Sequence, residues 1–308
     1  MNIHYNLNDF EELNYPVVTM GSFDGVHLGH LQILSKMVEI ARKEQGESVL
    51  FTFYPHPQQI LFPNLQSLKF INTQAEKIEL LRKAQIDHLI IFPFSLAFSK
   101  ISSKDFIHQF LVDKLHVKKL ISGYDHHFGN KREGNYKSLS ELGQLYGFEV
   151  EEVQALKVNN IAVSSTEIRN ALSVGNIKLA NTYLGYNYSI TGTVILGNQI
   201  GKKIGFPTAN IEIDDKHKLI PANGVYAVYI NIESIIYKGM ANIGTRPTLN
   251  LKEKSFEVHI FNFDNEIYNK SITVKFIDRI RDEYKFSDLD ALKTQLAIDK
   301  NNALNILL

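Results

Sequence analysis

Gly21-Ser22-Phe23-Asp24-Gly25-Val26-His27-Leu28-Gly29-His30 decides the fold, because it joins two patterns of different period. Before it, Val17-Val18-Thr19-Met20 is a continuous apolar run that suits a strand buried on both faces. After it, Leu31, Leu34, Val38 and Ala41 recur at helical spacing. A buried strand that turns through glycines into an amphipathic helix opens a βα unit, and in an open parallel sheet ligands bind in the crevice at that strand end. Glycines such as Gly21 and Gly29 let the backbone approach a phosphate closely, while the helix N-terminus offers free N–H groups and a partial positive charge. His27 and His30 are three apart, so both can face one phosphate from the same side of the first turn. A Gly-rich turn with two surface histidines is the plainer reading of each residue alone. The coincidence of pair, glycine and strand-to-helix position favours phosphate.

The same alternation continues through the first half. Val49-Leu50-Phe51-Thr52-Phe53, His88-Leu89-Ile90-Ile91-Phe92 and Lys119-Leu120-Ile121-Ser122 are further strand-like runs, and Thr73 with Glu76 has the spacing of a capping box opening the helical stretch Ile78, Leu81, Ala84. Strand, helix, strand, helix predicts an α/β domain with a parallel sheet. After about residue 185 extended segments follow one another at 188–196, 224–232, 235–243, 256–263 and 271–279, which predicts an antiparallel barrel or sandwich. Ser287 is the expected cap of a closing helix through Leu289, Leu292 and Leu296. The chain of 308 residues is more than one average core serves, so two domains are expected, 1–185 and 186–308.

Composition narrows the function classes. Lys+Arg and Asp+Glu are 33 each, so no net field draws the chain to nucleic acid or anionic lipid, although a local basic patch stays open. With no cysteine, disulfides, thiolate zinc sites and cysteine nucleophiles are excluded. No basic flank with an apolar stretch opens the chain, and no apolar run nears the roughly 18 residues of a membrane span, so a soluble, cytoplasmic protein without membrane or nucleic-acid partners is expected.

A second element lies at Val163-Ser164-Ser165-Thr166-Glu167-Ile168-Arg169. Ser164 and Glu167 have capping-box spacing, but hydroxyls and N–H groups at a helix start followed by Arg169 also make an anion clamp. The first element resembles the His-x-Gly-His motif of the nucleotidyltransferase superfamily related to class I aminoacyl-tRNA synthetases, and Ser-Ser-Thr-x-Ile-Arg resembles the second ATP-binding motif of that superfamily. The resemblance implies a Rossmann-like domain in which an oxygen nucleophile attacks the α-phosphorus of a nucleoside triphosphate. It makes His27 and His30 catalytic through stabilising the departing phosphates, and Gly21, Phe23, Asp24, Gly29, Ser164, Ser165, Thr166 and Arg169 ATP-side residues.

In the second half, Gly197-Asn198-Gln199-Ile200-Gly201-Lys202-Lys203-Ile204-Gly205-Phe206-Pro207-Thr208-Ala209-Asn210 offers glycines that let a loop cover phosphates, lysines that offset their charge, and two neutral oxygens suited to Mg²⁺. A Gly-Pro hairpin with solvated lysines is the plainer alternative. The stretch closely resembles riboflavin kinases, as do Asn223-Gly224-Val225-Tyr226, Asn242-Ile243-Gly244-Thr245-Arg246-Pro247-Thr248, Glu257-Val258-His259-Ile260 and Arg281-Asp282-Glu283-Tyr284-Lys285-Phe286. Taken whole, the chain resembles the prokaryotic bifunctional riboflavin kinase/FMN adenylyltransferases, also called FAD synthetases.

That resemblance implies a six-stranded antiparallel barrel behind the Rossmann-like domain and two reactions with Mg²⁺-ATP: riboflavin to FMN in the second half, FMN to FAD in the first. It makes Gly201, Lys202 and Gly205 phosphate-side residues, Thr208 and Asn210 metal-side residues, and Glu257 the base for the ribityl hydroxyl. By itself Glu257 reads equally as an exposed strand-face carboxylate. Arg281 is implied in holding flavin or phosphate, and Pro55, His56, Pro57, Asp125 and Phe128 in the flavin pocket of the first domain. Three departures stand out: Lys202 for an arginine, His126 for a phenylalanine, and Tyr54 for an acidic residue before Pro55. They keep open a first domain that is silent or serves another phosphorylated acceptor, and a flavin-binding regulator without catalysis.

Overall fold

The computed structural model describes residues 1–7, 12–64, 68–125, 127–197, 200–247 and 252–308, the side chains of residues 132, 200, 203, 246, 247, 252 and 253 excepted. His126, Asn198, Gln199 and Thr248, all quoted above, lie outside the described residues. The chain separates into two compact units, Met1–Ser165 and Thr166–Leu308.

In the first unit, β1 (Asn2–His4), β2 (Pro16–Met20), β3 (Glu47–Tyr54), β4 (His88–Pro93), β5 (Lys119–Gly123) and β6 (Glu149–Val153) form a sheet in the order β1-β4-β3-β2-β5-β6. Every pairing is parallel. The connections carry α1 (Leu28–Lys43), α2 (Pro57–Leu61), α3 (Gln74–Lys83), α4 (Ser103–Phe106) and α5 (Tyr136–Tyr146), and a two-strand ribbon, β7 (Lys157–Val158) with β8 (Ile161–Ala162), follows β6. The continuous apolar runs are explained by burial of both faces. Val17, Leu50 and Leu89 pack with Leu34, Met37, Ala41 and Leu81 on one side, while Val18, Val49, Phe51 and Ile90 pack with Phe106, Ile107, Leu111 and Leu139 on the other.

The edge strands β1 and β6 have no such run. In β6, Glu149 and Glu151 pair with Lys119 of β5 at 3.3 and 2.9 Å, so charge rather than an apolar run marks this strand. β2 lies between β3 and β5, and the chain winds from β2 outward to β4 before returning to β5. The strand order therefore reverses beside β2, where Gly21–His30 begins.

The second unit holds the rest of α6 (Ser165–Ser173), then α7 (Ile177–Leu184) and a closed antiparallel barrel. Its strands are β9 (Ser189–Ile195), β10 (Ala209–Glu212), β11 (Gly224–Ile232), β12 (Ile235–Pro247), β13 (Lys252–Ile260) and β14 (Ser271–Arg281), in the order β10-β13-β12-β11-β14-β9. A short α8 (Ile200–Lys203) precedes β10, and α9 (Leu289–Ile306) packs outside the barrel through Ala303 and Leu307 against Val225, Ala227 and Met240. Residues 166–185 cluster with the barrel, not with the sheet: Asn181 Nδ2 donates to the Phe276 carbonyl at 2.9 Å and Lys178 pairs with Asp278 at 2.8 Å.

Two local expectations are corrected. The cap of α9 is Asp288, whose Oδ1 accepts the Ala291 N–H at 2.8 Å, while Ser287 Oγ donates to Asp288 Oδ2. A carboxylate at a helix N-terminus gains charge attraction as well as the hydrogen bond, so it displaces the serine. The strand expected at 256–263 runs instead from Lys252 to Ile260.

Candidate active sites

Beyond β2 the chain turns through residues with backbone conformations that favour glycine. Gly25 has φ 89°, and Phe23 and Val26 are held at 48° and 35°, a cost for a β-branched residue such as Val26. Three accepting groups hold the turn. The Asp24 carboxylate accepts the N–H groups of Ile71 (3.0 and 3.2 Å) and Asn72 (3.3 Å), Ser165 Oγ donates to the Asp24 carbonyl at 2.7 Å, and the Ser22 carbonyl accepts Thr52 Oγ1 at 3.4 Å and Lys77 Nζ at 3.3 Å. Asp24 is thus buried and turned toward the protein, where it shapes the turn.

The turn delivers two imidazoles. His27 caps α1, its Nδ1 accepting the His30 N–H at 3.3 Å, which makes His27 a neutral ring with its proton on Nε2. The His30 ring stacks on His27 at 3.6 Å and lies 4.6 Å from the Phe23 ring. Nδ1 of His30 is enclosed with no hydrogen-bond partner among the described residues. Burial, then His27 and Lys77, hold the His30 pKa well below its ordinary value, so this ring too is neutral near pH 7. A side chain at Gly29 would press on the His27 ring at 3.3 Å and approach the Val163 carbonyl at 3.6 Å, so the glycine between the histidines serves close packing.

The turn and Ser165, some 140 residues apart in sequence, are therefore brought into contact within the first unit. Ser164 stands directly before α6, while Thr166 (exposed) and Arg169 (half-buried) follow in α6 within the second unit. The remaining candidates of the first half emerge from neighbouring strand ends. Pro55, His56 and Pro57 follow β3, with His56 Nδ1 capping α2 by accepting the Gln58 N–H and its ring 4.4 Å from Phe70. Asp125 and Phe128 follow β5; Asp125 is exposed, whereas Phe128 packs against the core and lies 6.4 Å from Phe106.

Sequence reasoning missed Lys77. It is buried at 7% exposure in α3, a helix whose Thr73 and Glu76 form the expected reciprocal cap. Its signal is its phase: Lys77 stands four residues before Leu81, on the buried stripe.

In the second unit the candidates converge on one row of the barrel surface. Asn210 of β10 is in register with Glu257 of β13, Glu257 with Asn242 of β12, Asn242 with Val225 of β11, and Val225 with Arg281 of β14. Residues opposed in this way share a face of the sheet. Thr208, just before β10, donates from Oγ1 to Glu257 Oε2 at 3.3 Å. A side chain at Gly197 would overlap the buried Asn210 amide, so the glycine admits that amide. His259 Nδ1 donates to the Pro207 carbonyl at 2.7 Å and fixes the backbone next to Thr208.

Gly205 has φ 86° with open space about it, whereas Gly201 sits in α8 because a Cβ there would meet the Phe206 carbonyl; Lys202 is exposed. Arg281 has an internal partner. Its Nε and Nη2 donate to the fully buried Asp299 of α9 at 2.7–3.0 Å, Nη1 donates to the Asp282 carbonyl, and the guanidinium lies 4.5 Å from the Tyr284 ring and 5.6 Å from that of Phe286.

A parallel sheet with a histidine pair at its switch point, and a barrel with a hydroxyl, an amide and a carboxylate on one surface row, are the two candidate sites, and the class of protein they suit is a transferase. The FAD synthetase family matches residues 9–167 and the riboflavin kinase family matches residues 184–307. Bifunctional riboflavin kinase/FMN adenylyltransferases from Buchnera aphidicola subsp. Schizaphis graminum and Escherichia coli (strain K12) are 41% and 35% identical, over 92% and 93% of this chain and 91% of each relative. A crystal structure described as a macrolide-efflux protein from Streptococcus pneumoniae superposes with a TM-score of 0.91 at 32% identity, covering 98% of both chains. No helix among the described residues is long and apolar enough to cross a membrane.

The chain belongs to the bifunctional riboflavin kinase/FMN adenylyltransferase family. Both activities are ATP-dependent transfers, and the kinase and adenylyltransferase families use a divalent metal with that ATP.

Proposed function

We propose that residues 186–308 transfer the γ-phosphate of ATP to riboflavin, and that residues 1–185 transfer AMP from a second ATP to the resulting FMN, giving FAD and pyrophosphate. The observation that carries the first-half assignment is the stacked His27–His30 pair at the sheet's switch point, with an enclosed His30 Nδ1 that has no hydrogen-bond partner among the described residues. An oxygen of the FMN phosphate attacks the α-phosphorus, and His27 and His30 meet the departing phosphates as neutral N–H donors. The turn at Gly21, Phe23 and Gly29 admits the phosphates. Ser164 and Ser165, at the start of α6, lie on the ATP side. Pro55, His56, Pro57, Asp125 and Phe128 border the flavin.

In the barrel, Glu257 takes the proton of the ribityl hydroxyl as that oxygen attacks the γ-phosphorus. The donor set beside it, a threonine hydroxyl and an asparagine amide, fits Mg²⁺ arriving on ATP, because this hard ion keeps most of its coordination for phosphate oxygens and water. Thr208 and Asn210 would hold it, and it would neutralise phosphate charge there. Gly201, Lys202 and Gly205 lie on the ATP side. Arg281, tied to Asp299, serves the flavin site by holding the rings of Tyr284 and Phe286. The absence of cysteine fits a reducing, cytoplasmic setting.

The test is incubation with riboflavin, ATP and Mg²⁺ followed by chromatography. FAD supports the reading, FMN alone refutes the first-half assignment, and unchanged riboflavin refutes both.

A further inference from the structure

Lys77 is the one buried lysine among the described residues of the first unit. Helical lysines normally carry their ammonium to water, and an apolar side chain at this position would meet the packing needs of α3 more cheaply. Here Nζ instead donates to the Ser22 carbonyl, its one hydrogen-bond acceptor among the described residues. Its charge is offset by Asp24, whose carboxylate is already fastened to the Ile71 and Asn72 N–H groups just before α3. The charged and titratable groups around the ammonium are thus Asp24 from the turn and His30 from α1, with His27 stacked on His30. Together they place a cation directly behind the turn that carries the two imidazoles.

We propose that Lys77 is a positioning residue for adenylyl transfer. As an ammonium it holds the turn from Ser22 to Asp24, through the Ser22 carbonyl and the Asp24 carboxylate, in the shape that receives a nucleoside triphosphate. The inference rests on placing adenylyl transfer at His27 and His30. Burial lowers the Lys77 pKa to about 8, with Asp24 opposing the shift, so the ligand-free protein loses this cation on mild alkalinisation. An incoming triphosphate favours the charged form, and nucleotide capture above that pH is coupled to uptake of one proton.

The experiment measures kcat and KM for ATP in FMN adenylylation from pH 6.5 to 9.5, for the wild type, Lys77→Met and Lys77→Arg, with riboflavin phosphorylation by the same chains as an internal control. In the wild type, kcat/KM for ATP falls tenfold per pH unit above about pH 8. Lys77→Met lowers it at least tenfold at pH 7 and abolishes the alkaline fall, while riboflavin phosphorylation stays within twofold. Lys77→Arg keeps most of the activity and is flat to pH 9.5, because a guanidinium does not deprotonate there. If Lys77→Met fails to fold, the arginine variant alone decides.

An alkaline fall that persists in the variants, or a Lys77→Met enzyme within twofold of wild type, overturns the proposal. Should His27→Ala and His30→Ala leave adenylylation intact, it is the placement of the site that fails, a result separate from either of these.

Discussion

Thr208 Oγ1 donates to Glu257 Oε2 at 3.3 Å, joining two residues 49 apart in sequence. The contact exists because β10 pairs with β13 and puts Asn210 opposite Glu257, so the hydroxyl just before β10 arrives beside the carboxylate. A proposed metal-side residue and a proposed base are thereby set at one point of the barrel surface.

Glu257→Gln keeps the size and a hydrogen-bond acceptor but cannot take a proton. Riboflavin phosphorylation is expected to fall by about 10²-fold or more, the usual share of a general base. FAD formation from supplied FMN stays within twofold. Chromatographic rates for both products from one preparation check this.

The Asp24 carboxylate fastens a strained turn rather than facing solvent. Asp24→Ala leaves the Ile71 and Asn72 N–H groups without that acceptor, and each buried unsatisfied group costs about 1–3 kcal/mol. A loss of about 2 kcal/mol or more in urea unfolding of the first unit is expected, together with weaker ATP binding.

Arg281 and Asp299 form a bidentate pair with the carboxylate fully buried. Removing the arginine strands that charge, so Arg281→Ala is expected to destabilise the barrel by about 3–5 kcal/mol. Arg281→Ala together with Asp299→Leu recovers much of the loss. Urea unfolding of the second unit reads both.

His30 and His4 both have pKa values lowered mainly by burial, His30 the more strongly. In the unfolded chain they take up protons near pH 6.5, in the folded chain only at lower pH. Their contribution is therefore fully present above about pH 6.5 and lost as pH falls from there toward the folded values. Thermal unfolding of the first unit is expected to shift down between pH 7.5 and 5.5, and less so in His30→Gln.

The legible parts of the fold were those whose burial is one-sided in chemistry. β2, β3, β4 and β5 are buried on both faces, so they appear as apolar runs, and the Thr73–Glu76 cap appears because its two hydrogen bonds need those two residue types. β6 was hidden because its glutamates answer Lys119, and β10 because Asn210 and Glu212 leave little apolar pattern in a four-residue strand. The histidine pair was legible from spacing and position, but the partners that hold its turn, Ile71, Asn72 and Lys77, come from a distant segment whose only local pattern is that of a capped helix. Arg281 reads as a surface arginine until β14 and α9 are placed side by side.

The division of labour between the two sites is tested most directly by giving His30→Ala riboflavin with excess ATP and following both products in time. FMN should accumulate at the wild-type rate with FAD at least 10²-fold slower, the scale expected when charge stabilisation at a transferring phosphate is removed. FAD appearing at the wild-type rate would contradict the account.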